Sequence, residues 1–130
     1  MHGYIQNLQQ ASVMNTDFRR VLYTGKYSQL LLVSLKPGEE TGFIVHMQDQ
    51  FLGVDKGMGH IIINGVTTEV ETGYAIIVPA GVNHNLINTG KFDLKVHSVY
   101  SPPNHLDGTV CHLRVYADVT ERLFDGVTTE

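Results

Sequence analysis

Two stretches of this 130-residue chain carry side chains that can bind a metal ion or a polar ligand. The first, residues 38–57, contains His46 and Gln50, and the second, residues 73–88, contains His84. An imidazole nitrogen suits ions such as Fe, Ni, Cu and Zn, whereas an amide oxygen is a weak, neutral ligand. These residue types point to metal or polar-ligand chemistry if the fold brings them together.

The second stretch predicts where the side chain of His84 points. Pro79 and Gly81 mark a tight turn between two β-prone runs, because proline fixes φ and glycine accepts a positive φ. In the strand after the turn, the two-residue period places His84 on one face with Leu86 and Asn88. A histidine that shares a face with apolar residues points inward. On this evidence alone, a core histidine bonded to a neighbour is the simpler interpretation.

The spacing of these residues resembles the paired motifs of the cupin superfamily. The second family motif, G(X)5PXG(X)2H(X)3N, is matched at every position, by Gly73, Pro79, Gly81, His84 and Asn88. The first motif, G(X)5HXH(X)3,4E(X)6G, is matched by Gly38, His46 and Gly57. Gln50 stands at its glutamate position and Ile44 at its first histidine position. The chain is similar to small cupins described as mannose-6-phosphate isomerase-like, a name that describes the barrel and not an activity.

The resemblance implies a fold and a ligand set. We expect one domain over residues 1–130, an all-β cupin double-stranded β-helix (a jelly-roll barrel) that turns alternate side chains into a lumen. In metal-binding cupins the motif side chains converge on one divalent ion, which implies the ligands His46, Gln50 and His84. Ile44, at the replaced ligand position, would line the lumen with Leu86. The resemblance leaves Zn, Fe, Ni and Mn as alternatives for the ion.

Two functions follow from this interpretation. The first is a metal-dependent enzyme that acts on a small oxygenated molecule, either as a sugar isomerase or as a dioxygenase. Because the implied ligands are neutral, the ion would bind less tightly than beside a glutamate and would favour an anionic or oxygen-rich ligand. The alternative is a non-catalytic, metal-free barrel that binds a small molecule, in which Gln50 hydrogen-bonds a neighbour. A carboxylate or histidine beside Ile44 would favour the first function, and an apolar wall would favour the second.

Composition and charge limit other functions. The net charge is −4 and lysine and arginine form no cluster, so a nucleic-acid partner is not expected. Cys111 is the only cysteine, which excludes an intrachain disulfide and a cysteine-based zinc site. No apolar run approaches the thickness of a bilayer and the N-terminus lacks a signal-peptide pattern. We therefore expect a cytoplasmic protein with no membrane partner.

Short β-prone runs separated by turn residues predict the strands. They cover residues 18–23, 29–35, 43–46, 50–54, 59–63, 66–70, 74–78, 84–88, 92–100 and 111–116. Asn64 and Gly65 predict a type I′ hairpin, which needs positive φ at both residues. Residues 118–124 are compatible with a short C-terminal helix.

The remaining histidines have weaker signals. His60 follows a glycine on a strand that borders the predicted cavity, so we count it as lumen-lining, with a solvated position as the alternative. Alternation along its strand points His97 away from the lumen. His105 lies in a loop that either caps the barrel or is only a turn. His112 neighbours Cys111, and adjacent residues of a strand point to opposite faces.

The apolar run at residues 30–33 predicts a homodimer. One face of this strand would line the lumen, and the opposite face needs another surface to cover it. Relatives pack two barrels back to back with exchanged N-terminal segments, in a closed two-fold arrangement. If the C-terminal residues 118–124 cover that face instead, the chain would be a monomer.

Overall fold

The computed structural model describes residues 1–117 and 122–130, which form nine β-strands, one α-helix and one 3₁₀ helix. Helix α1 covers Leu8–Met14. The strands are β1 (Arg19–Thr24), β2 (Gln29–Leu35), β3 (Asp49–Lys56), β4 (Met58–Ile63), β5 (Val66–Glu71), β6 (Ala75–Val78), β7 (His84–Asn88), β8 (Leu94–Ser101) and β9 (Val110–Cys111). The 3₁₀ helix covers Arg114–Tyr116.

The strands pair antiparallel in two sheets. The larger sheet has the order β6-β3-β8-β2-β1-β9, and the smaller has the order β5-β4-β7. Apolar side chains from both sheets meet in one core, whose most deeply buried members include Leu31, Leu35, Leu86, Leu94 and Val96. The predicted all-β jelly-roll is confirmed. Within the described ranges, no helix has the length and apolar character to cross a membrane.

The hairpin between β4 and β5 turns where the sequence predicts. Its strands are in register from Met58 opposite Glu71 to Ile63 opposite Val66. Asn64 has φ 48° and the following glycine has φ 80°. Positive φ at both positions is the requirement of a type I′ turn, whose twist matches that of the flanking strands. This local prediction is confirmed.

Two other local predictions need correction, and a third lies mostly outside the described residues. Residues 43–46 form no strand; Ile44 makes only an isolated bridge to His84. The strand predicted over residues 111–116 is wrong beyond Cys111, where β9 ends after pairing with the first residues of β1. The chain turns there into the 3₁₀ helix. Of the helix over residues 118–124, residues 118–121 lie outside the described residues, and Leu123 bridges His105.

Helix α1 was missed because residues 1–17 have no long apolar period. Its signals are local caps: the Asn7 side chain accepts a hydrogen bond from Gln10 N at 3.0 Å, and Asn15 ends the helix. An asparagine N-cap satisfies one of the amide groups that a helix start leaves unpaired. The sequence contained this signal, but a seven-residue helix without an amphipathic stripe is a weak pattern.

Helix α1 covers the outer face of strand β2. It packs against β2, β3 and β8, and Leu32 on that outer face is only 2% exposed. Lys95 ties the helix end to the sheet, since its Nζ donates to the backbone oxygen of Asn15 and to Ser34 Oγ at 3.0 Å. The apolar run is therefore covered within one chain, which removes the stated reason for a homodimer. The dimer itself stays a prediction.

The fold predicts a structural role for Asn88, at the end of β7. Its side chain is buried and donates to the carbonyl oxygens of Leu35 and Phe92, both at 2.9 Å, while its Oδ1 accepts from Gly90 N at 2.9 Å. Asn88→Ala leaves these groups without partners, so we expect the free energy of unfolding to fall by about 3 kcal/mol. Urea denaturation measures it.

The matched control is Asn83→Ala, which truncates an exposed asparagine just before the same strand. We expect that change to stay within about 0.5 kcal/mol of the parent. Equal stability losses in both variants would contradict the structural role assigned to Asn88.

Candidate functional site

The candidate site lies at one end of the barrel, where several elements start or stop together. Gln50 is the second residue of β3 and lies opposite Tyr100 near the end of β8. His84 is the first residue of β7 and forms a backbone bridge to Ile44, in the loop between β2 and β3. His46 follows two residues later, and its carbonyl oxygen accepts from Gly81 N at 2.7 Å. Backbone pairing across the two sheets thus brings both motifs to one place.

These side chains enclose a narrow cavity of about 30 Å³. Its polar wall is formed by Arg19, Thr41, His46, Gln50, His84 and Tyr100. Its apolar wall is formed by Phe18, Leu31, Val33, Ile44, Leu52 and Leu86. A volume of this size holds an ion or about one to two water molecules. The reacting group of a ligand can enter, but a whole sugar cannot.

The hydrogen bonds of His84 orient its ring toward Gln50. His84 Nδ1 lies 3.0 Å from the carbonyl oxygen of Val82, which can only accept, so Nδ1 carries the proton. In the neutral ring, Nε2 then presents a lone pair, and it lies 3.1 Å from Gln50 Oε1. The amide nitrogen of Gln50 donates to Ser98 Oγ at 3.0 Å. Two acceptor atoms therefore face each other across the cavity.

Two acceptor atoms at this distance need a positive group or a donor between them. A bound cation, a proton on His84 Nε2 or a rotated Gln50 amide would each meet that need. Two ligand atoms bound at right angles, each about 2.1 Å from an ion, are about 3 Å apart, which agrees with the separation of His84 Nε2 and Gln50 Oε1. In a metal-free site the amide rotates by half a turn. Its nitrogen then donates to His84, and its oxygen accepts from the Ser98 hydroxyl.

A column of aromatic rings continues from His84 into the barrel. The ring of His46 lies 5.4 Å from that of His84 and 5.0 Å from that of Tyr100, whose hydroxyl is 3.2 Å from His46 Nε2. The ring of His105 in turn lies 5.3 Å from that of Tyr100, with an angle of 76° between the ring planes. His105 is almost fully buried.

Burial keeps two of these imidazoles neutral. It lowers the pKa of His46 to about 4, and the charges of His84 and Arg19 add to the effect. It also lowers the pKa of His105 to about 3, with smaller contributions from Arg19 and His46. Desolvation disfavours the charged form of an imidazole, which explains both directions. A neutral imidazole offers the lone pair that metal ligation requires.

The structure places His60 outside the cavity, so its assignment as lumen-lining is wrong. His60 lies opposite Ile87 in the β4–β7 pair, whereas its neighbour Ile61 lies opposite Leu86 on the cavity side. Residues opposite each other in an antiparallel pair share a face, so His60 faces outward. It lies in a separate groove, with Nε2 3.7 Å from Glu69 Oε1.

The other histidines divide between surface and interior. His97 faces outward, as its alternation predicted, with Nδ1 2.8 Å from Asp55 Oδ2. Its ring lies where a Cβ on Gly53 would come within 2.3 Å. His112 is exposed and pairs with Asp17 at 2.6 Å. The loop of His105, by contrast, is folded inward.

Sequence reasoning missed three site residues: Arg19, Tyr100 and His105. Arg19 alternates with Val21, which would have placed its side chain on the inner face of β1. Tyr100 is two residues from the inward-facing Ser98, which predicts the same face. His105 had no local signal, because its burial depends on how the loop after β8 folds onto the barrel.

Comparison with known proteins agrees with this architecture. The Cupin domain family model matches residues 31–100, more than half of the chain. The chain belongs to the cupin family. This cupin is 40% identical over 126 residues to the uncharacterized protein YrkC of Bacillus subtilis, an alignment that covers 91% of this chain and 67% of YrkC. It is 37% identical over 112 residues to protein L612 of Acanthamoeba polyphaga mimivirus, with 82% and 70% covered.

Solved structures are similar as well. The Bacillus halodurans protein BH2720 is 37% identical and superposes with a TM-score of 0.89, covering 92% of this cupin and 98% of that protein. An RmlC-like cupin of Shewanella frigidimarina is 21% identical, with a TM-score of 0.60 over 65% of this chain and 74% of its own. At that identity the likeness shows the fold alone.

The donor set of this cupin suits a divalent ion only in part. His46 and His84 offer neutral imidazoles and Gln50 offers an amide oxygen, but Ile44 puts an apolar side chain at the fourth motif position. Across residues 1–117 and 122–130, no group of three or more His, Cys, Asp or Glu side chains could hold a metal ion. The fit rests on two histidines and one amide.

The buried ring of His105 predicts an acid-sensitive fold. Its pKa is about 3 when folded and 6.5 in the unfolded chain, so between these values the unfolded state binds one more proton. Stability should fall as the pH falls through this window, by about 1.4 kcal/mol per pH unit for this proton. In His105→Gln, unfolding should take up about one proton fewer in this window, so the unfolding free energy should change less steeply with pH.

Urea denaturation between pH 4 and pH 7 measures these slopes. His60→Gln is the control, because it removes an outward-facing imidazole and should retain the slope of the parent. Identical slopes in His105→Gln and the parent would show that the ring of His105 is not buried as a neutral group.

Proposed function

We propose that this cupin binds a divalent metal ion through His46, Gln50 and His84 and acts there on a small oxygenated molecule. One observation carries the proposal: His84 Nε2 and Gln50 Oε1, both acceptors, face each other at 3.1 Å inside the cavity. The ring of His46 lies beside them and is neutral because burial holds its pKa at about 4. Three neutral donor groups thus surround a space of ionic size.

The neutral ligand set has chemical consequences. When bound, a divalent ion supplies a Lewis acid that polarises an oxygen of the ligand. No carboxylate of residues 1–117 and 122–130 lines the cavity to offset its charge, so a ligand that brings negative charge or several oxygens completes the site best. Both reactions implied by the family resemblance, sugar isomerisation and oxidation with O₂, fit a ligand oxygen held in this position.

The chain's own side chains shape the reaction space. Ile44, Leu52 and Leu86 give the cavity lining apolar surface, which does not hydrogen-bond water. The Tyr100 hydroxyl, 3.2 Å from His46 Nε2, orients that ring and can exchange a proton with a ligand held beside it. The small volume admits one reacting group, while the rest of the molecule stays at the open end.

A second candidate function is a metal-free barrel that binds a small molecule without catalysis. The observation that favours it is Ile44, which presents an apolar wall where a fourth donor would stand. With the Gln50 amide turned, His84, Gln50 and Ser98 satisfy one another and need no ion. The two functions therefore differ in one measurable property, the metal content.

Substitution of His84 tests the metal site. His84→Ala removes an imidazole ligand, so the purified protein should lose most of its bound metal. Elemental analysis of protein prepared without a metal-affinity tag measures this loss. The matched control is His60→Ala, which removes an outward-facing histidine and should retain the metal content of the parent.

Three results are informative. Loss of metal in His84→Ala but not in His60→Ala supports the proposed site. Equal metal content in both variants and the parent rejects His84 as a ligand. A parent protein that contains no metal and binds none on addition of Zn²⁺, Mn²⁺ or Fe²⁺ favours the metal-free function.

The position of Ile44 permits a gain-of-function test. Ile44→His or Ile44→Glu places a donor group at the fourth motif position, so the affinity for Zn²⁺ should rise about tenfold or more. Val45→His and Val45→Glu are the controls, because Val45 is the next residue and is 55% exposed. Titration calorimetry that shows equal gains at both positions would mean that Ile44 does not face the ion.

A further inference from the structure

Arg19 is a cation on the inner face of the barrel. It is the first residue of β1, and the two-residue period of the strand places it on the same face as the buried Val21. Its neighbour Arg20 points outward and pairs with Asp17 at 3.3 Å. Arg19 instead contributes to the wall of the cavity that contains His46 and Tyr100.

The guanidinium of Arg19 has no anionic partner in the described part of the chain. Among residues 1–117 and 122–130 it makes no hydrogen bond or ion pair, and its guanidinium carbon lies 5.3 Å from the centre of the Phe18 ring. Among the residues that the structure describes, no aspartate or glutamate lines the cavity, although the chain carries 13 acidic residues. The positive charge of Arg19 also acts on the buried His105, where it contributes to the lowered pKa of that ring.

A second arginine, Arg114, also lies near the Phe18 ring, but it forms hydrogen bonds with the protein backbone. The guanidinium carbon of Arg114 lies 5.5 Å from the Phe18 ring, and its Nε and Nη2 donate to the backbone oxygens of Glu40 and Thr41. Arg114 therefore ties the C-terminal segment to the loop beside the cavity. Of the two guanidinium groups near Phe18, that of Arg19 is available to a ligand.

We propose that Arg19 binds the carboxylate of a small carboxylic acid whose other end enters the cavity toward His46 and His84. A half-buried charge that lacks a partner is costly unless a ligand supplies one. A guanidinium binds a carboxylate through two parallel hydrogen bonds, which gives both affinity and orientation. The acid is thereby held with its second oxygenated group next to the candidate metal ligands.

The size and charge of the site favour a carboxylate over a phosphate. One guanidinium matches the single negative charge of a carboxylate, whereas a phosphate dianion calls for further cations or a group of backbone amides. The cavity, at about 30 Å³, also leaves little room for a tetrahedral group. This inference rests on the proposed function, because it takes the same cavity as the ligand site.

The test measures carboxylate binding and metal binding separately. Acetate, pyruvate and malonate are titrated into EDTA-treated protein and into Co²⁺-loaded protein, and binding is followed by calorimetry and ligand-observed NMR. Methyl pyruvate serves as the uncharged counterpart of pyruvate. The variants are Arg19→Gln, Arg19→Lys and the matched control Arg20→Gln, which removes the same charge from the outer face of the same strand.

We expect pyruvate or malonate to bind the parent, with the Kd raised about tenfold or more in Arg19→Gln. Arg19→Lys should recover part of this loss, and Arg20→Gln should stay within about twofold of the parent. Methyl pyruvate should bind at least about tenfold more weakly than pyruvate. Arg19→Gln should retain the Co²⁺ content of the parent, since Arg19 holds the ligand and not the ion.

Several results would overturn the inference. They are equal losses in Arg19→Gln and Arg20→Gln, equal binding of pyruvate and its methyl ester, and no Arg19-dependent binding of any of the three acids at millimolar concentration. Arg19-dependent binding of inorganic phosphate that is tighter than that of the acids would overturn the choice of carboxylate. Arg19-dependent acid binding by a protein that takes up no Co²⁺ would support the inference while rejecting the proposed metal site.

Discussion

The contact between Gln50 and His84 joins the two sheets at the end of the barrel where the cavity lies. Gln50 belongs to the six-stranded sheet and His84 to the three-stranded sheet, and their side-chain atoms meet at 3.1 Å. A second hydrogen bond fixes each side chain: the Gln50 amide nitrogen donates to Ser98 Oγ, and His84 Nδ1 donates to the carbonyl oxygen of Val82. These two polar groups, one from each sheet, line the cavity together with apolar residues of the core.

Electrostatics divides this end of the barrel into neutral and positive parts. Burial keeps the imidazoles of His46 and His105 uncharged at neutral pH, and Arg19 supplies a permanent positive charge beside them. In the described ranges of the chain, no carboxylate of the cavity wall balances that charge, although the net charge of the chain is −4. A site of this kind selects ligands by charge first, because neutral donors and one guanidinium both favour an anion.

The metal-dependent and metal-free functions depend on the same few atoms. Compared with the cupin motif, Gln50 replaces a negatively charged glutamate and Ile44 replaces a histidine ligand. An ion at this site would therefore be held by neutral groups alone. Such a site binds metal more weakly but leaves more positions open to a ligand. The facing acceptors of Gln50 and His84 are satisfied by an ion in one case and by a turned amide in the other.

Local sequence features determined much of the architecture and part of the site. Asn64 and Gly65 specify a type I′ hairpin because their φ angles must be positive, and the structure has that turn. The motif spacing identified the family, and the alternation in β7 placed His84 with Leu86 on the inner face. These features need only backbone sterics and a two-residue period, both of which act over short distances along the chain.

The tertiary structure decided what those local rules do not contain. His60 and Leu86 lie on opposite faces of the smaller sheet because of cross-strand register, which a single strand does not specify. Helix α1 covers the apolar run of β2, so that run no longer calls for a dimer. The sequence did not predict this packing, because a cap indicates where a helix starts but not where it packs. The partners of His105 depend on groups far apart in sequence, and so does the absence of an anionic partner for Arg19 among residues 1–117 and 122–130. Burial and charge at a site are sums over all neighbours in space, so they are settled only when the chain is folded.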